Sequence, residues 1–511
     1  MKSKLFSNLA LLGIILAAVL ALVMGGWSLP VLVVLAATLV GLGARNNNQG
    51  LGRAALVGAI GALVVVIGAV IHNTLIVSLP DVDAIPVEST TVVVYAGVIV
   101  LGALVAPLVA FFNGHPNDRV RRYSLLGFIA ICAVIFPFYE QGTQLLWASA
   151  IIVALFYTLQ ALGLNIVAGY SGMLDLGYVA FFAIGGYTAG LLLSPQLPEV
   201  YALRWSFWIV IFIAAALAAL FGLLLGAPVI PLRGDYLAIV TLGFGEIVPI
   251  VFKNLEAVKI YEPISEMIAY ITGNPAIARC LIGCGEKALN ITNGTQGVNP
   301  IDRPIINLTG IGIPVNYTFQ TGEYIPWYFL ILIFVAIAAF FIHRLRQSRT
   351  GRAFVSQRDN ELAANAMGVP LVRTKLTAFM LGAMFSGFAG AFYASYVSFI
   401  SPDAFDFSIS VIVLVMVILG GQASIPGVIL GGFVVKLVDL LILDKVQLVF
   451  GGLLKATILK NAPDGLALFL SSLFDITQYK LLLFGLALVT MMLVRPQGLI
   501  PAGIVKYDTK S

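Results

Sequence analysis

Long apolar runs recur along the whole chain and are separated by short polar or basic segments. The runs are continuously apolar rather than alternating, which predicts helices, and a helix needs about 20 apolar residues to cross a bilayer. Runs near this length occupy residues 5–24, 29–43, 54–77, 91–112, 124–139, 146–163, 176–194, 207–230, 237–253, 327–343, 374–396, 407–421, 425–443 and 480–494. Because several are short, the pattern predicts an all-α, polytopic transmembrane bundle of about 11–14 spans.

The composition agrees with a membrane protein. Of 511 residues, 60% are hydrophobic and 10% are charged, whereas soluble domains average about 45–50% and about 25%. The 29 basic and 24 acidic residues give a net charge of +5, which is too small and too dispersed for binding nucleic acid. The first run follows Lys2 and Lys4 without a cleavage site before a polar region, which predicts an uncleaved first span.

The basic residues of the short loops predict the orientation, because cytoplasmic loops carry an excess of Lys and Arg. With the N-terminus inside, every basic cluster falls on the cytoplasmic side, which predicts that both termini are cytoplasmic. These clusters contain Arg45, Arg53, Arg119, Arg121, Arg122, Arg344, Arg346, Arg349, Arg352, Arg358, Arg373, Lys375, Arg495 and Lys506.

Two loops are longer than simple connectors. Residues 254–326 form an external loop in this orientation, and residues 344–373 form a cytoplasmic loop. The external loop contains Cys280 and Cys284, which either form a disulfide or remain free thiols. The few cysteines and histidines are too scattered for a metal motif, so no metal site is predicted.

The cytoplasmic loop contains a predicted surface helix over residues 350–370. Asp359 and Glu361 lie near its start, and Gly368 and Pro370 form the stop signal. A helix held between two spans can transmit a push from a soluble partner; the alternative is an ordinary solvated loop. A shallow apolar stripe on this helix consists of Leu362, Ala363, Ala366 and Met367.

Motifs of familiar enzymes are missing from the sequence. It has no G-x-x-x-x-G-K-[ST], H-E-x-x-H or G-x-S-x-G pattern, so neither a P-loop nucleotide site nor a common hydrolase centre is expected. Transport without enzymatic activity is therefore the expected function.

Several segments resemble one transporter family. Ala363, Ala364 and Gly368, after Thr350-Gly-Arg352, resemble the coupling loop of ABC importer permeases, although Glu361 stands one residue earlier than usual. Four further segments resemble the M-type permease subunit of high-affinity branched-chain amino acid ABC transporters. They are residues 172–187, 232–247, 399–405 and 419–426. The resemblance covers about residues 124–505.

This resemblance implies an ABC permease core at 124–505, with extra N-terminal spans at 1–123 and a tail at 506–511. It implies uptake of branched-chain or other neutral amino acids across a bacterial cytoplasmic (inner) membrane. The implied partners are membrane lipid, a second related permease, two cytoplasmic ATPases that use ATP and Mg²⁺, and an external binding protein. No cofactor is expected on this chain. Asp at 175, where urea-type relatives tend to carry Ser, favours amino acids over urea.

Two sets of candidate site residues follow. A path for a zwitterion needs both signs of charge, so Arg233 is a candidate for the substrate carboxylate and Asp175 or Glu246 for the ammonium. Alternatively, Arg233 and Asp235 simply pair at the membrane edge. The residues expected to couple to the ATPase are Arg352, Arg358, Glu361, Ala363, Ala364 and Gly368.

Small residues predict close packing at two places. Residues 382–395 carry small residues at every fourth position, which lets helix backbones approach closely, within this chain or against a partner permease. Gly420, Gly421 and Pro426 predict a tight turn between spans, with lining of a gate as the alternative.

Other functions remain open at this level. An ion-gradient-driven amino acid transporter or channel would show paired interrupted helices in two halves, and no clear internal repeat is visible. A urea- or amide-type ABC permease is a further alternative.

Overall fold

Helices dominate the computed structural model. The structure describes residues 33–34, 37, 51–71, 100, 103, 105–109, 111, 127–128, 130–138, 147–195, 205–229, 235–256, 260–261, 280–282, 290–307, 316–320, 322–443, 446–447 and 478–501. Within this part, seven helices are long and apolar enough to cross a membrane. The predicted helical, polytopic architecture is confirmed, and the predicted run 5–24 lies outside the described residues.

The helices follow the predicted runs closely. They are α1 (Leu51–Ile71), α2 (Trp147–Leu164), α3 (Val179–Leu193), α4 (Phe207–Val229), α5 (Asp235–Asn254), α6 (Tyr324–Gln347), α7 (Arg349–Asp359), α8 (Glu361–Ala366), α9 (Leu371–Val397), α10 (Phe407–Gly420), α11 (Ile425–Leu437) and α12 (Lys480–Val494). Two of them continue as π-helical turns, α2 through Asn165–Tyr170 and α11 through Val438–Ile442.

The chain divides into two compact units. One contains Met1–Ala150 and Leu437–Lys480, and the other contains Ile151–Lys436 and Leu481–Ser511. In the first unit, the buried carboxylate of Asp439 lies 3.7 Å from the ammonium of Lys480. All candidate site residues belong to the second unit. The proposed boundary between extra N-terminal spans and core at residue 123 stays a prediction.

Helix α9 packs closely on α3 and α4 through small residues. A Cβ atom on Gly185 would lie 2.5 Å from the Cα of Gly387, and a Cβ atom on Gly387 would lie 2.5 Å from the Cβ of Ala218. A side chain on Gly390 would overlap the carbonyl oxygen of Phe182. The small residues of 382–395 therefore pack within this chain, one of the two predicted alternatives.

The predicted tight turn between spans is also present. Helix α10 ends at Gly420 and α11 begins at Ile425. Gly421 has φ of +124°, a conformation that favours glycine. The carbonyl oxygens of Gly420 and Gly427 leave no space for a side chain on the facing glycine, so two backbones meet at this turn.

Two short antiparallel ribbons lie in the segment that follows α5. Strand β1 (Ile260–Tyr261) pairs with β2 (Cys280–Ile282), and β3 (Ile305–Asn307) pairs with β4 (Asn316–Thr318). The sequence analysis did not predict these strands, because each has only two or three residues. Cys284 lies outside the described residues, so the predicted alternatives for Cys280 and Cys284 stay open.

The same segment covers the C-terminal end of α5. The Thr292 hydroxyl donates to the carbonyl oxygen of Phe252 at 2.6 Å, and the Ile291 N–H donates to that of Leu255 at 3.0 Å. The last carbonyl groups of a helix have no partner within it. These bonds therefore anchor the long loop to the end of α5.

Candidate functional site

The cytoplasmic loop of the predicted orientation forms two helices, α7 and α8, between the long helices α6 and α9. The Gly351 N–H donates to the Ser348 hydroxyl at 3.1 Å, and the Ala363 N–H donates to the Asn360 side chain at 3.0 Å. Both side chains are N-caps. The prediction of one surface helix is wrong in this respect, because Asn360 has extended backbone angles and begins a second helix.

Helix α8 ends at the predicted stop signal. Gly368 has φ of +82°. Its N–H donates to the Asn365 carbonyl oxygen, and the Val369 N–H donates to that of Ala364, both at 3.0 Å. This pair of bonds is the Schellman motif, in which glycine supplies the left-handed residue.

The apolar stripe of α8 faces away from the rest of the chain. Leu362 is 72% exposed and Met367 is 84% exposed, and Ala363 and Ala366 are exposed as well. Ala364 is buried on the opposite side. The α7–α8 pair therefore presents an uncovered apolar surface, formed by Leu362, Ala363, Ala366 and Met367.

The charged coupling candidates have different surroundings. Glu361 forms an ion pair of 2.7 Å with Lys375, which ties α8 to α9. Arg352 is exposed, and its guanidinium donates to the Gln347 carbonyl oxygen at 2.9 Å. The guanidinium of Arg358 instead reaches back to its own chain, where it donates to the Gly169 carbonyl oxygen at 2.5 Å.

The sequence analysis missed two buried polar residues that form hydrogen bonds between distant parts of the chain. Gln357 is buried, and its side-chain amide donates to the Ser171 hydroxyl at 3.0 Å. Asn165 is fully buried, and its Oδ1 accepts from the Ala423 N–H at 2.8 Å. The one available signal was a polar residue inside or beside an apolar run, which does not identify a distant partner.

Asp175 lies in the loop between the π-helical turn of α2 and α3. It is 1% exposed, and its Oδ1 accepts from the Gly177 N–H at 3.0 Å. Its Oδ2 has no hydrogen-bond partner among the described residues. The carboxylate borders a small cavity that is otherwise lined by Gly177, Phe181, Leu225, Thr241, Phe244 and Phe379.

Glu246 has the opposite environment. It lies near the middle of α5 and is exposed. It belongs to a face of α5 on which Ile239, Ile247 and Ile250 are more than half exposed, and a Cβ added to Gly243 would meet nothing within 4 Å. The structure therefore separates the two candidate carboxylates, one buried and one on an open surface.

Two further candidates lie near the predicted membrane edge. Arg233 is outside the described residues. Asp235 is the first residue of α5, and its side chain is also outside the part that the structure describes.

Within the described residues, no group of three or more His, Cys, Asp or Glu side chains is arranged to hold a metal ion.

Comparison with known proteins identifies similar transport proteins. Residues 146–461 match the family "Branched-chain amino acid transport system / permease component". The chain is 33% identical over 403 residues to the high-affinity branched-chain amino acid transport system permease protein LivM of Escherichia coli, covering 75% of this chain and 76% of LivM.

Two further relatives extend this similarity. LivM of Salmonella typhimurium is 32% identical over 412 residues, covering 77% of this chain and 79% of that protein. The permease protein LivH of the same species is 22% identical over 351 residues, covering 67% of this chain and 91% of that protein. No solved structure matches the chain.

The burial of Asp175 generates a prediction about its role. We expect Asp175→Asn to fold and to preserve transport, because the amide oxygen still accepts from the Gly177 N–H. Asp175→Ala leaves this N–H without its acceptor, at a cost of about 1–3 kcal/mol, and should lower the yield of folded protein. Uptake and folded yield are measured for both variants. A loss of uptake in a well-folded Asp175→Asn protein would show that the negative charge itself is required.

Proposed function

This chain belongs to the branched-chain amino acid transport system permease family, and we propose that it is one membrane-spanning subunit of an ABC importer for branched-chain or other neutral amino acids. The chain itself has no enzymatic activity, and partner subunits hydrolyse the ATP. The strongest structural support is the exposed apolar surface of the α7–α8 pair, which lies between two membrane-spanning helices in the chain.

The apolar surface of α8 is the proposed contact for a cytoplasmic ATPase. Leu362 and Met367 are largely exposed to solvent in this chain. Burying each in a groove of a partner would stabilise the complex by about 1.5–3 kcal/mol. Because α7 and α8 connect directly to α6 and α9, a partner held there moves the ends of two long helices.

The exposed face of α5 is the proposed wall of the translocation path. A carboxylate within a membrane span is costly against lipid, and such residues normally face a cavity, a partner or an opposite charge. Glu246 therefore favours a position between α5 and a second, related permease. There it attracts the ammonium group of an amino acid, and Arg233 remains the candidate for the carboxylate. Burial of Asp175 favours a structural role for that residue.

The proposed orientation places both termini and the α7–α8 pair in the cytoplasm. The basic residues at the end of α6 and in α7 support it, because such residues are typical of cytoplasmic loops. The segment between α5 and α6 then lies outside a bacterial cytoplasmic membrane. An external amino-acid-binding protein would dock on this segment, which is anchored to α5 through Thr292 and Ile291.

Reconstitution tests this function. The chain is incorporated into liposomes with its companion permease, the ATPase subunits and the binding protein, and uptake of labelled leucine, alanine and urea is measured. We expect ATP-dependent uptake of a neutral amino acid by the complete complex. Uptake by this chain alone, or uptake driven by an ion gradient without ATP, would contradict the proposal, and uptake of urea alone would indicate a urea-type permease.

The proposed ATPase contact predicts the effect of a charge on α8. Met367→Asp places a carboxylate where an apolar side chain is to be buried, so association of the ATPase should weaken by about tenfold or more. Co-purification of the ATPase subunits with the membrane subunits measures this. The control variant, Met367→Leu, keeps the surface apolar and should behave like the wild type. Equal co-purification of all three proteins would be incompatible with this contact.

The proposed path predicts a specific role for Glu246. Glu246→Gln removes a charge-assisted interaction of about 1.5–3 kcal/mol, so the KM for leucine should rise by about tenfold or more. Glu256→Gln is the matched control, since Glu256 is also exposed but lies beyond the end of α5. Uptake at a series of leucine concentrations separates KM from maximal rate. If both variants transport leucine like the wild type, Glu246 does not line the path.

A further inference from the structure

The last turn of α7 is bonded to two separate parts of the membrane bundle. One guanidinium nitrogen of Arg358 donates to the Gly169 carbonyl oxygen at 2.5 Å, and the other lies 3.5 Å from the side-chain oxygen of Gln422. The neighbouring Gln357 donates to the Ser171 hydroxyl at 3.0 Å. Residues 169 and 171 follow α2, whereas residue 422 lies between α10 and α11. We call these contacts the α7 junction.

The junction meets α2 at a turn that is not α-helical. Residues Asn165–Tyr170 form a π-helical turn, and all six are buried. Such turns are rare and occur frequently at functional sites. Gly169 has no space for a side chain, because a Cβ atom there would overlap Asn165 Oδ1 and would lie 2.7 Å from the Ala423 nitrogen. The backbone is therefore enclosed on one side and held by Arg358 at its carbonyl group.

Asn165 joins this turn to the turn between α10 and α11. Its Oδ1 accepts from the Ala423 N–H at 2.8 Å. Ala423 has φ of +60°, a left-handed conformation that is uncommon for a residue with a side chain. The Nδ2 of Asn165 has no hydrogen-bond partner among the described residues. A buried side chain thus bonds to a strained backbone position, and such positions cluster in switch regions.

We propose that Arg358 is a positioning residue that transmits movement of the α7–α8 pair to the π-helical turn of α2 and, through Asn165, to the turn between α10 and α11. This inference rests on the proposed function and specifies how its coupling works. The sequence predicted that Arg358 couples to the ATPase. Its contacts are to Gly169 and Gln422 of this chain, so we assign it to transmission within the permease rather than to contact with the ATPase. The exposed apolar stripe of α8 contacts the ATPase, and the α7 junction transmits the resulting movement to the membrane helices.

The matched control lies on the same helix. Arg349 is the first residue of α7 and is exposed, so it lies at the opposite end of this helix from Arg358. Arg358→Gln and Arg349→Gln therefore make the same chemical change, but only the first removes the Arg358 contacts of the α7 junction. Arg358→Lys retains one charged donor for the Gly169 carbonyl oxygen and loses the forked geometry.

The experiment uses the complete transporter in liposomes. For each variant, co-purification of the ATPase, the rate of ATP hydrolysis and the leucine transported per ATP are measured. We expect Arg358→Gln to retain the ATPase but to lower the leucine transported per ATP by about tenfold. Arg349→Gln should remain near the wild-type ratio, and Arg358→Lys should recover part of the loss.

A double variant tests whether the two turns belong to one network. If Arg358 acts through Asn165, Arg358→Gln combined with Asn165→Ala should lower the ratio no further than the more severe single change. Fully additive losses would overturn the proposed route. Arg358→Gln with the same ratio as Arg349→Gln, or with loss of the ATPase itself, would overturn the role of Arg358.

Failure of the proposed function gives a different result. In that case the wild-type complex moves no amino acid under ATP, whatever the variants do. The junction is then tested by ATP hydrolysis alone, which Arg358→Gln should alter and Arg349→Gln should not. Equal hydrolysis by both variants would reject the junction independently of the cargo.

Discussion

Close backbone packing of α9 against α3 and α4 is the interaction on which the candidate site depends. Lipid tails are as apolar as leucine, so helices in a bilayer gain little from hydrophobicity and associate mainly through packing and hydrogen bonds. Gly387 and Gly390 let α9 approach its neighbours where side chains would collide. Helix α9 begins immediately after α8, and Lys375 on α9 pairs with Glu361 on α8. The position of the α7–α8 pair therefore follows from the packing of α9.

The two carboxylates of the bundle show how environment assigns roles to the same chemical group. Asp175 is enclosed by helices and accepts a backbone N–H from its own loop, which favours an anchoring role. Glu246 stands on an open apolar face of a membrane span, where only water, a partner or a substrate can offset its charge. At the proposed path, this charge would attract the ammonium group of a neutral amino acid only weakly, and tight recognition would be left to the proposed external binding protein.

The α7–α8 pair combines an outer and an inner surface within about 20 residues of chain. Leu362 and Met367 face outward without contacts that bury them, whereas Gln357 and Arg358 bond inward to α2. In the proposed importer both surfaces are needed, because movement of an ATPase bound at α8 has to reach the membrane helices. The π-helical turn and the left-handed Ala423 are non-standard conformations, and packed elements of this kind tend to have discrete alternative arrangements.

The sequence alone was enough to predict the membrane class, the helical runs, the family resemblance, the apolar stripe of α8 and its end at Gly368. These features are local, because each depends on side-chain hydrophobicity or on backbone preferences over a few neighbouring residues. Three features became visible only in the folded chain: Asn360 divides the predicted surface helix, Asp175 is buried while Glu246 is exposed, and Arg358 bonds to Gly169. Arg358 and Gly169 are 189 positions apart in the sequence. Their hydrogen bond forms only after separate helices have packed together, so a local sequence pattern cannot predict it.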